Sequence, residues 1–269
     1  MWRFINTGYS SGALNMAFDE RLVSDVSSGE LDGAVRVYGW TPPCISLGYH
    51  QTVEILNLEK CVSEGIDVVR RPTGGRAVLH WDELTYSVVL KANGRSLSEV
   101  YHEIGLALVC GLRQLDDEIS LARSEPRVTP ALGPTSSLPC YASIARYEIQ
   151  YRGKKLVGSA QRRYTFSQGT ESGTSGEKNE IVLQHGSILI GPAHRRIVDF
   201  LAIHGGEATH ILEKEVEEKS TELSSILGRS VEFAEVAECI KRGFEEEWRV
   251  PLEESIEEYH TLSIPSRGM

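Results

Sequence analysis

The apolar positions of this chain change period several times, and each change predicts an element. From 12 to 27, Leu14, Ala17, Phe18, Leu22 and Val26 recur at helical spacing, which predicts an amphipathic helix with its acidic residues on the opposite, solvent face. The runs AVRVYGW and PCISLGYH, separated by Thr41-Pro42-Pro43, read as short strands joined by a turn. A helix is expected over 57–64 with Gly65 closing it. Then come a strand in IDVVRR, the turn PTGGR, and a strand in which Leu84, Tyr86, Val88 and Leu90 alternate. Apolar residues at Val100, Ile104, Leu106, Leu108, Val109 and Leu112 predict a helix over 97–117 that covers a sheet. Tyr147, Ile149 and Tyr151 suit a half-buried strand, and the turn Arg152-Gly153-Lys154 leads to a second strand opened by Lys155. The run IVLQHGSILI is another strand, and 231–247 is a second good helix with Ser230 as its N-cap. Strand runs interrupted by a few helices, without strict βαβ alternation, predict an α+β fold with a mixed, largely antiparallel sheet flanked by helices.

Two stretches lack this periodicity. The region near 115–139 is rich in Pro, Ser and Thr and reads as an extended surface loop that delivers Cys140 to its place. The segment 167–180 is polar and glycine-rich, without core-forming residues, and reads as a mobile insertion in a single domain spanning 1–269.

Composition narrows the class. The chain has 269 residues, 41% hydrophobic and 25% charged, as in an ordinary globular protein able to bury a full core. Five widely spaced cysteines without a CxxC pair indicate neither a disulfide framework nor a zinc site, so no metal is expected. With no basic, apolar leader and no apolar run long enough for a membrane span, a cytoplasmic location without membrane contact is expected. The net charge of −10 argues against nucleic-acid binding, which calls for a broad basic face. The basic residues gather instead at Arg70, Arg71 and Arg76 and at Lys154, Lys155, Arg162 and Arg163, a pattern suited to an anionic group or an acidic protein partner.

Candidate chemistry sits in two segments. In CYASIARYEIQYRGKKLVGSAQ a hairpin can carry Lys155 toward the loop that holds Cys140. A nearby cation favours the thiolate, which is the nucleophilic form, and can also bond the oxyanion formed when a thioester is attacked. The spacing taken alone favours a plainer alternative, a buried inert Cys140 and a solvated strand end at Lys155. In RRPTGGRAVLH, Gly74 and Gly75 let backbone N–H groups approach an oxygen-bearing ligand, with Arg76 adding charge, although a glycine pair is more commonly just a tight turn. No P-loop or dinucleotide glycine pattern occurs. His80 and His185 stand beside strands in no metal-binding spacing, which suits sheet hydrogen bonding or a pocket wall, and Ser159 lies outside a nucleophile elbow.

Six segments in order, NMAFDERL, PCISLGYHQ, RRPTGGRAVLHWDELTYSVV, CYASIARYEI, GKKLVGSAQRR and LQHGSILI, resemble the lipoate-protein ligase and octanoyltransferase family. That family's catalytic domain looks like those of biotin protein ligases and class II aminoacyl-tRNA synthetases. Cys140 stands where the cysteine-dependent octanoyltransferases of Gram-positive type carry their acyl-accepting residue, and Lys155 matches the family lysine that contacts the acyl carbonyl. The resemblance implies transfer of octanoyl from octanoyl-acyl carrier protein, through a Cys140 thioester, to the lysine of a lipoyl domain such as the glycine-cleavage H protein or a dehydrogenase E2. It implies no cofactor, since neither ATP nor a metal is needed for thioester exchange followed by amide formation. With strand alternation, it places Arg70, Gly74, Gly75, Arg76, His80, Gly158, Ser159 and Ala160 at the substrate, and Val78, Leu79 and Val157 along an acyl tunnel. Lys155 is then expected within hydrogen-bond reach of Cys140 once substrate is bound. The alternatives are an ATP-dependent lipoate ligase, an amidotransferase between lipoyl domains, and a non-enzymatic binder of a fatty acid or lipoyl domain.

Overall fold

A computed structural model describes residues 2–123, 147–167, 178–203 and 206–255. Strand β1 (Trp2–Ser10) leads into α1 (Gly12–Ser28), whose start is capped by Ser11 and whose end is turned by Gly29 at φ 86°, the left-handed conformation that glycine adopts without strain. Then come β2 (Gly33–Trp40), β3 (Cys44–Leu47), a 3-10 turn at Val53–Ile55, α2 (Leu58–Ser63) and β4 (Asp67–Arg70). β5 (Val78–His80) and β6 (Glu83–Lys91) precede α3 (Leu97–Leu112), which begins with a reciprocal capping box between Ser96 and Glu99. β7 (Ser120–Arg123), β8 (Tyr147–Tyr151), β9 (Lys154–Ser167) and β10 (Lys178–Leu189) follow. The remaining elements are a 3-10 segment at Pro192–Phe200, α4 (Gly206–Lys219), α5 (Leu223–Leu227), α6 (Phe233–Trp248) and β11 (Glu253–Ser255).

The large sheet has the order β11-β1-β2-β6-β10-β9-β8-β7, and the small one β4-β3-β5. Most pairings are antiparallel, but β1 runs parallel to both β2 and β11, and β3 parallel to β4, so the fold is α+β with a mixed sheet. The central strand β6 is buried on both faces. Leu84, Tyr86, Val88 and Leu90 point into a core roofed by α3 and α6, whereas Val89 joins Ile5, Phe18, Leu22 and Val26 under α1. The small sheet packs Ile45, Leu47 and Leu79 against Phe200 and Val216 in a separate core.

Several expectations shift. The 97–117 helix stops at Leu112, and Leu106 faces outward at 37% exposure. Glu232, not Ser230, holds the N-cap position of α6, and its side chain makes no capping bond. Ser120–Arg123, inside the stretch read as loop, is an edge strand paired with β8. On α1 the acids are not all solvated, because Asp19 is fully buried. The polar stretch after Phe166 is entered and left through the β9–β10 ladder, in which Ser167 pairs with Lys178 and Thr165 with Glu180, and residues 168–177 lie outside the described residues. Among the described residues, no helix is long and apolar enough to cross a membrane.

α3 and α6 touch backbone to backbone. A Cβ on Gly243 would stand 2.3 Å from Gly111 N and 2.5 Å from Ala107 O, and one on Gly111 would stand 2.3 Å from Cys239 O. Neither obstacle is a flexible side chain, so Gly243→Val must push the helices apart. It should lower stability by about 3 kcal/mol, at the upper end of ordinary overpacking, read as a lower urea midpoint. Gly206→Ala, where no atom lies within 4 Å, should stay within about 1 kcal/mol of the parent.

Candidate functional site

A pocket, partly open to solvent, lies between the two sheets. The large sheet contributes Trp40, Thr85, Gly158, Ser159, Ala160 and His185, and the small sheet contributes Ser46, Val78 and His80, with Arg71 at its edge. In the β9–β10 ladder Gly186 pairs with Ser159 and Gly158 with Ser187, and a Cβ on Gly186 would fall 2.4 Å from Gly158 O, so the wall stays bare at Gly186. Beside it the Tyr86 hydroxyl donates to Ser159 Oγ at 2.7 Å and accepts from Gln184 Nε2 at 2.8 Å. Burial pushes the Tyr86 hydroxyl up to about 12, so it stays a neutral donor that fixes the Ser159 rotamer.

The pocket rests on a buried polar network built by α1. Asp19 Oδ1 accepts from Arg36 Nη1 and from Ser87 Oγ, both at 2.8 Å. Asp19 Oδ2 meets the Tyr38 hydroxyl at 3.1 Å and His185 Nδ1 at 3.2 Å. Burial opposes charge on Asp19, but hydrogen bonding from His185 and the Arg36 guanidinium outweigh it and hold the carboxyl below its ordinary value. Burial also lowers His185. An ionised Asp19 beside a neutral His185 puts the ring proton on Nδ1, and Nε2 then accepts from the Thr73 hydroxyl at 2.6 Å. The core thus ties down the Pro72–Gly75 turn.

Arg71 closes the same turn from the other side. Its guanidinium donates to Gly74 O, Arg76 O, Ser46 O and Ser46 Oγ at 2.7–3.2 Å. Gly75 takes φ 93°, and its carbonyl lies where a Cβ on Gly48 would be, 2.0 Å away. Ser46 Oγ also meets His80 Nε2 at 2.7 Å, while His80 Nδ1 meets Glu83 Oε1 at 2.8 Å and the ring stacks on Trp40 with centroids 4.1 Å apart.

Of the residues expected at the substrate, His80, Gly158, Ser159 and Ala160 come together around this pocket, with Val78. Gly74, Gly75 and Arg76 form the adjoining turn without lining it. Arg70 spends its guanidinium on the carbonyls of Gly48, Tyr49 and Gln51. Leu79 points into the core of the small sheet and Val157 into that under α3, so neither lines the pocket. Cys140 lies outside the described residues. Lys155 is buried at 6% exposure, with Nζ 2.7 Å from Glu148 Oε1 across the β8–β9 pair. The ladder shifts register between Ile149 and Gln150, leaving Leu156 as the extra residue of a bulge, and the Arg152-Gly153 turn has positive φ at both positions, the tight hairpin geometry. Sequence reasoning passed over Asp19, Thr73 and Glu83, and it counted Arg71 only in a basic cluster suited to an anionic group, not as the residue that closes the turn. The usable signal was parity: Arg71 and Thr73 alternate with Arg70, and Asp19 lies one turn after the buried Asn15.

The histidines make stability pH-dependent. Burial lowers His194, which is bonded to Ser220 Oγ at 2.8 Å, from 6.5 to about 4, and His185 moves in the same direction. Between pH 6.5 and 4 the unfolded chain takes up protons that the folded chain refuses, so stability falls as pH falls. His194 alone accounts for a loss of about 3 kcal/mol across that window. Denaturation midpoints measured from pH 7 to pH 4 should show this slope, and His194→Asn should flatten it.

The family model for the lipoyl protein ligase A/B catalytic domain matches residues 11–245. The octanoyltransferase LipM of Kyrpidia tusciae is 37% identical over 94% of this chain and 89% of its own length, and that of Bacillus subtilis is 31% identical over 94% and 88%. A lipoate-protein ligase A bound with ATP shares the fold at TM-score 0.70 with 19% identity, over 95% of this chain and 88% of its own. A bi-partite lipoate protein ligase of Thermoplasma acidophilum does so at TM-score 0.70, also with 19% identity, over 96% and 88%. By the family model and by relatives more than 30% identical over nearly the whole chain, this protein belongs to the lipoyl protein ligase A/B catalytic domain family.

Proposed function

We propose that this chain moves octanoyl from octanoyl-acyl carrier protein to the lysine of a lipoyl domain, such as the glycine-cleavage H protein or a dehydrogenase E2, through a thioester on Cys140. Octanoyl transfer in lipoate biosynthesis, an acyltransferase activity, is the function carried by its LipM relatives. The observation that carries the mechanism is the placement of Lys155. Glu148 anchors this buried cation on the hairpin that follows the Cys140 segment, and the same strand continues into the Gly158–Ala160 wall of the pocket.

In the first half-reaction the Cys140 thiolate attacks the donor thioester carbonyl, and Lys155 bonds the developing oxyanion. The carbonyl re-forms, the donor thiolate leaves, and it takes up the proton given up by Cys140. In the second half the acceptor's neutral amine attacks the enzyme thioester, the Cys140 thiolate leaves, and the proton given up by the new amide nitrogen restores the Cys140 thiol. The acyl chain lies in the pocket against Trp40, Val78, Gly158 and Gly186. His80 and Ser159 stand as positioned polar groups beside it, and Arg71, Gly74, Gly75 and Arg76 hold the turn that shapes its mouth. No ATP is consumed, because both acyl donors are already thioesters. A cytoplasmic setting fits a reaction between two carrier proteins.

Intact-mass and peptide mapping after mixing with octanoyl-acyl carrier protein, without ATP, tests the pathway. A hydroxylamine-labile octanoyl adduct is expected on the Cys140 peptide, absent in Cys140→Ala and discharged by apo-H protein. Lys155→Met should slow adduct formation by about 10²–10³-fold, the range for losing one oxyanion donor. Acceptor modification that needs free lipoate and ATP, with no adduct, would establish a ligase instead.

A further inference from the structure

A second groove opens beside the pocket; Trp40 lines both, and Glu83 of the groove bonds His80 of the pocket. Its described lining carries three carboxylates, Asp82, Glu83 and Glu232, and no basic side chain. Glu83 forms the inner end. It is 3% exposed, its Oε1 takes the bonds from His80 and Thr85, and its Oε2 has no hydrogen-bond partner among the described residues. A buried carboxylate oxygen with nothing to accept is costly unless a donor arrives.

Asp82 stands at the rim. Its backbone is left-handed at φ 52°, and its carbonyl accepts from both Ile190 N and Gly191 N. Its carboxyl lies over Gly191, 1.6 Å from where a Cβ there would be. Glu232 faces it from the start of α6, beside the aromatic pair Tyr9–Phe233, with ring centroids 5.3 Å apart. The local field is negative: the Tyr9 hydroxyl is raised by burial and then by Asp82 and Glu232, and Asp82 by burial and then by Glu222. Nearby cations are already engaged, Arg195 with Glu222, Arg229 with Glu235, and Arg196 with Glu64 and Asp199.

We propose that this groove receives the lysine side chain of the acceptor protein, with Asp82 and Glu232 gathering its ammonium at the rim and the free oxygen of Glu83 accepting from its nitrogen at the inner end. The proposal rests on the transfer reading above and adds the acceptor's route. The aromatic rim suits the methylenes of a lysine stem, and a lining with three carboxylates and no basic side chain disfavours a phosphate-bearing donor arm. Acyl chain and amine then meet at Trp40, which lines both pocket and groove.

The test uses Asp82→Asn, which tolerates the left-handed backbone, and Glu232→Gln, alone and combined. The expected result is a KM for apo-H protein raised about 10-fold or more in the double variant, with an unchanged rate of Cys140 acylation by octanoyl-acyl carrier protein. An unchanged acceptor KM, or an effect confined to the acylation step, overturns the proposal. A parallel titration of n-butylammonium, followed by tryptophan fluorescence, reads the groove without any transfer. Saturation in the parent that is lost in the double variant supports a cation site, and no saturation in the parent overturns it. A parent that binds the amine yet forms no acyl-enzyme would sink the thioester mechanism while leaving the cation site in place.

Discussion

Asp19 with Arg36 is the buried charge pair on which the site depends. A carboxylate and a guanidinium with almost no exposure are tolerable only when every polar atom is answered, and here Thr7, Asn15, Tyr38, Ser87 and His185 supply the answers. The guanidinium is also sandwiched between the Phe18 and Tyr38 rings, 4.1 and 3.8 Å from their centroids. Because the partners come from α1, β1, β2, β6 and β10, the network fixes the relative placement of five elements. Through His185 and Thr73 it reaches the turn at the pocket mouth, so the geometry of a glycine-bearing loop is inherited from the core.

Much of the fold was legible because burial was periodic. β6 announced itself through Leu84, Tyr86, Val88 and Leu90, and α1 through Phe18, Leu22 and Val26. Elements whose burial is slight left no such mark. α4 buries only Leu212 and Val216 among its charges, β11 is three residues long, and β1 interrupts its alternation with Gly8 at φ 60°. The Ser120–Arg123 strand lay within a composition that reads as loop, and only its pairing with β8 makes it a strand.

The site was legible in part for a related reason. By the family resemblance and strand alternation, His80 and the Gly158–Ala160 wall could be named in advance, and they line the pocket. Asp19 and Glu83 could not, since an acid in a helix or strand looks solvated until the partner that neutralises or bonds it is seen. Arg70 and Arg71 are chemically identical in the sequence. Which of them turns toward Ser46 and which toward the Gly48–Gln51 carbonyls is decided by strand register, a three-dimensional quantity.

The glycine contact between α3 and α6 also shapes how the molecule responds to load. On that face, backbone lies against backbone, with no side chain to change rotamer and almost no room to compress. Elsewhere the small sheet meets the large one through His80, which bonds Glu83 and Ser187 and stacks on Trp40, through Thr73 with His185, and through the apolar cluster of Met16, Tyr38, Trp40, Cys44 and Val69. The helical layer behind the large sheet is therefore the side with the least room to yield, and a bulkier occupant of the pocket must find its space by repacking side chains at the seam between the two sheets.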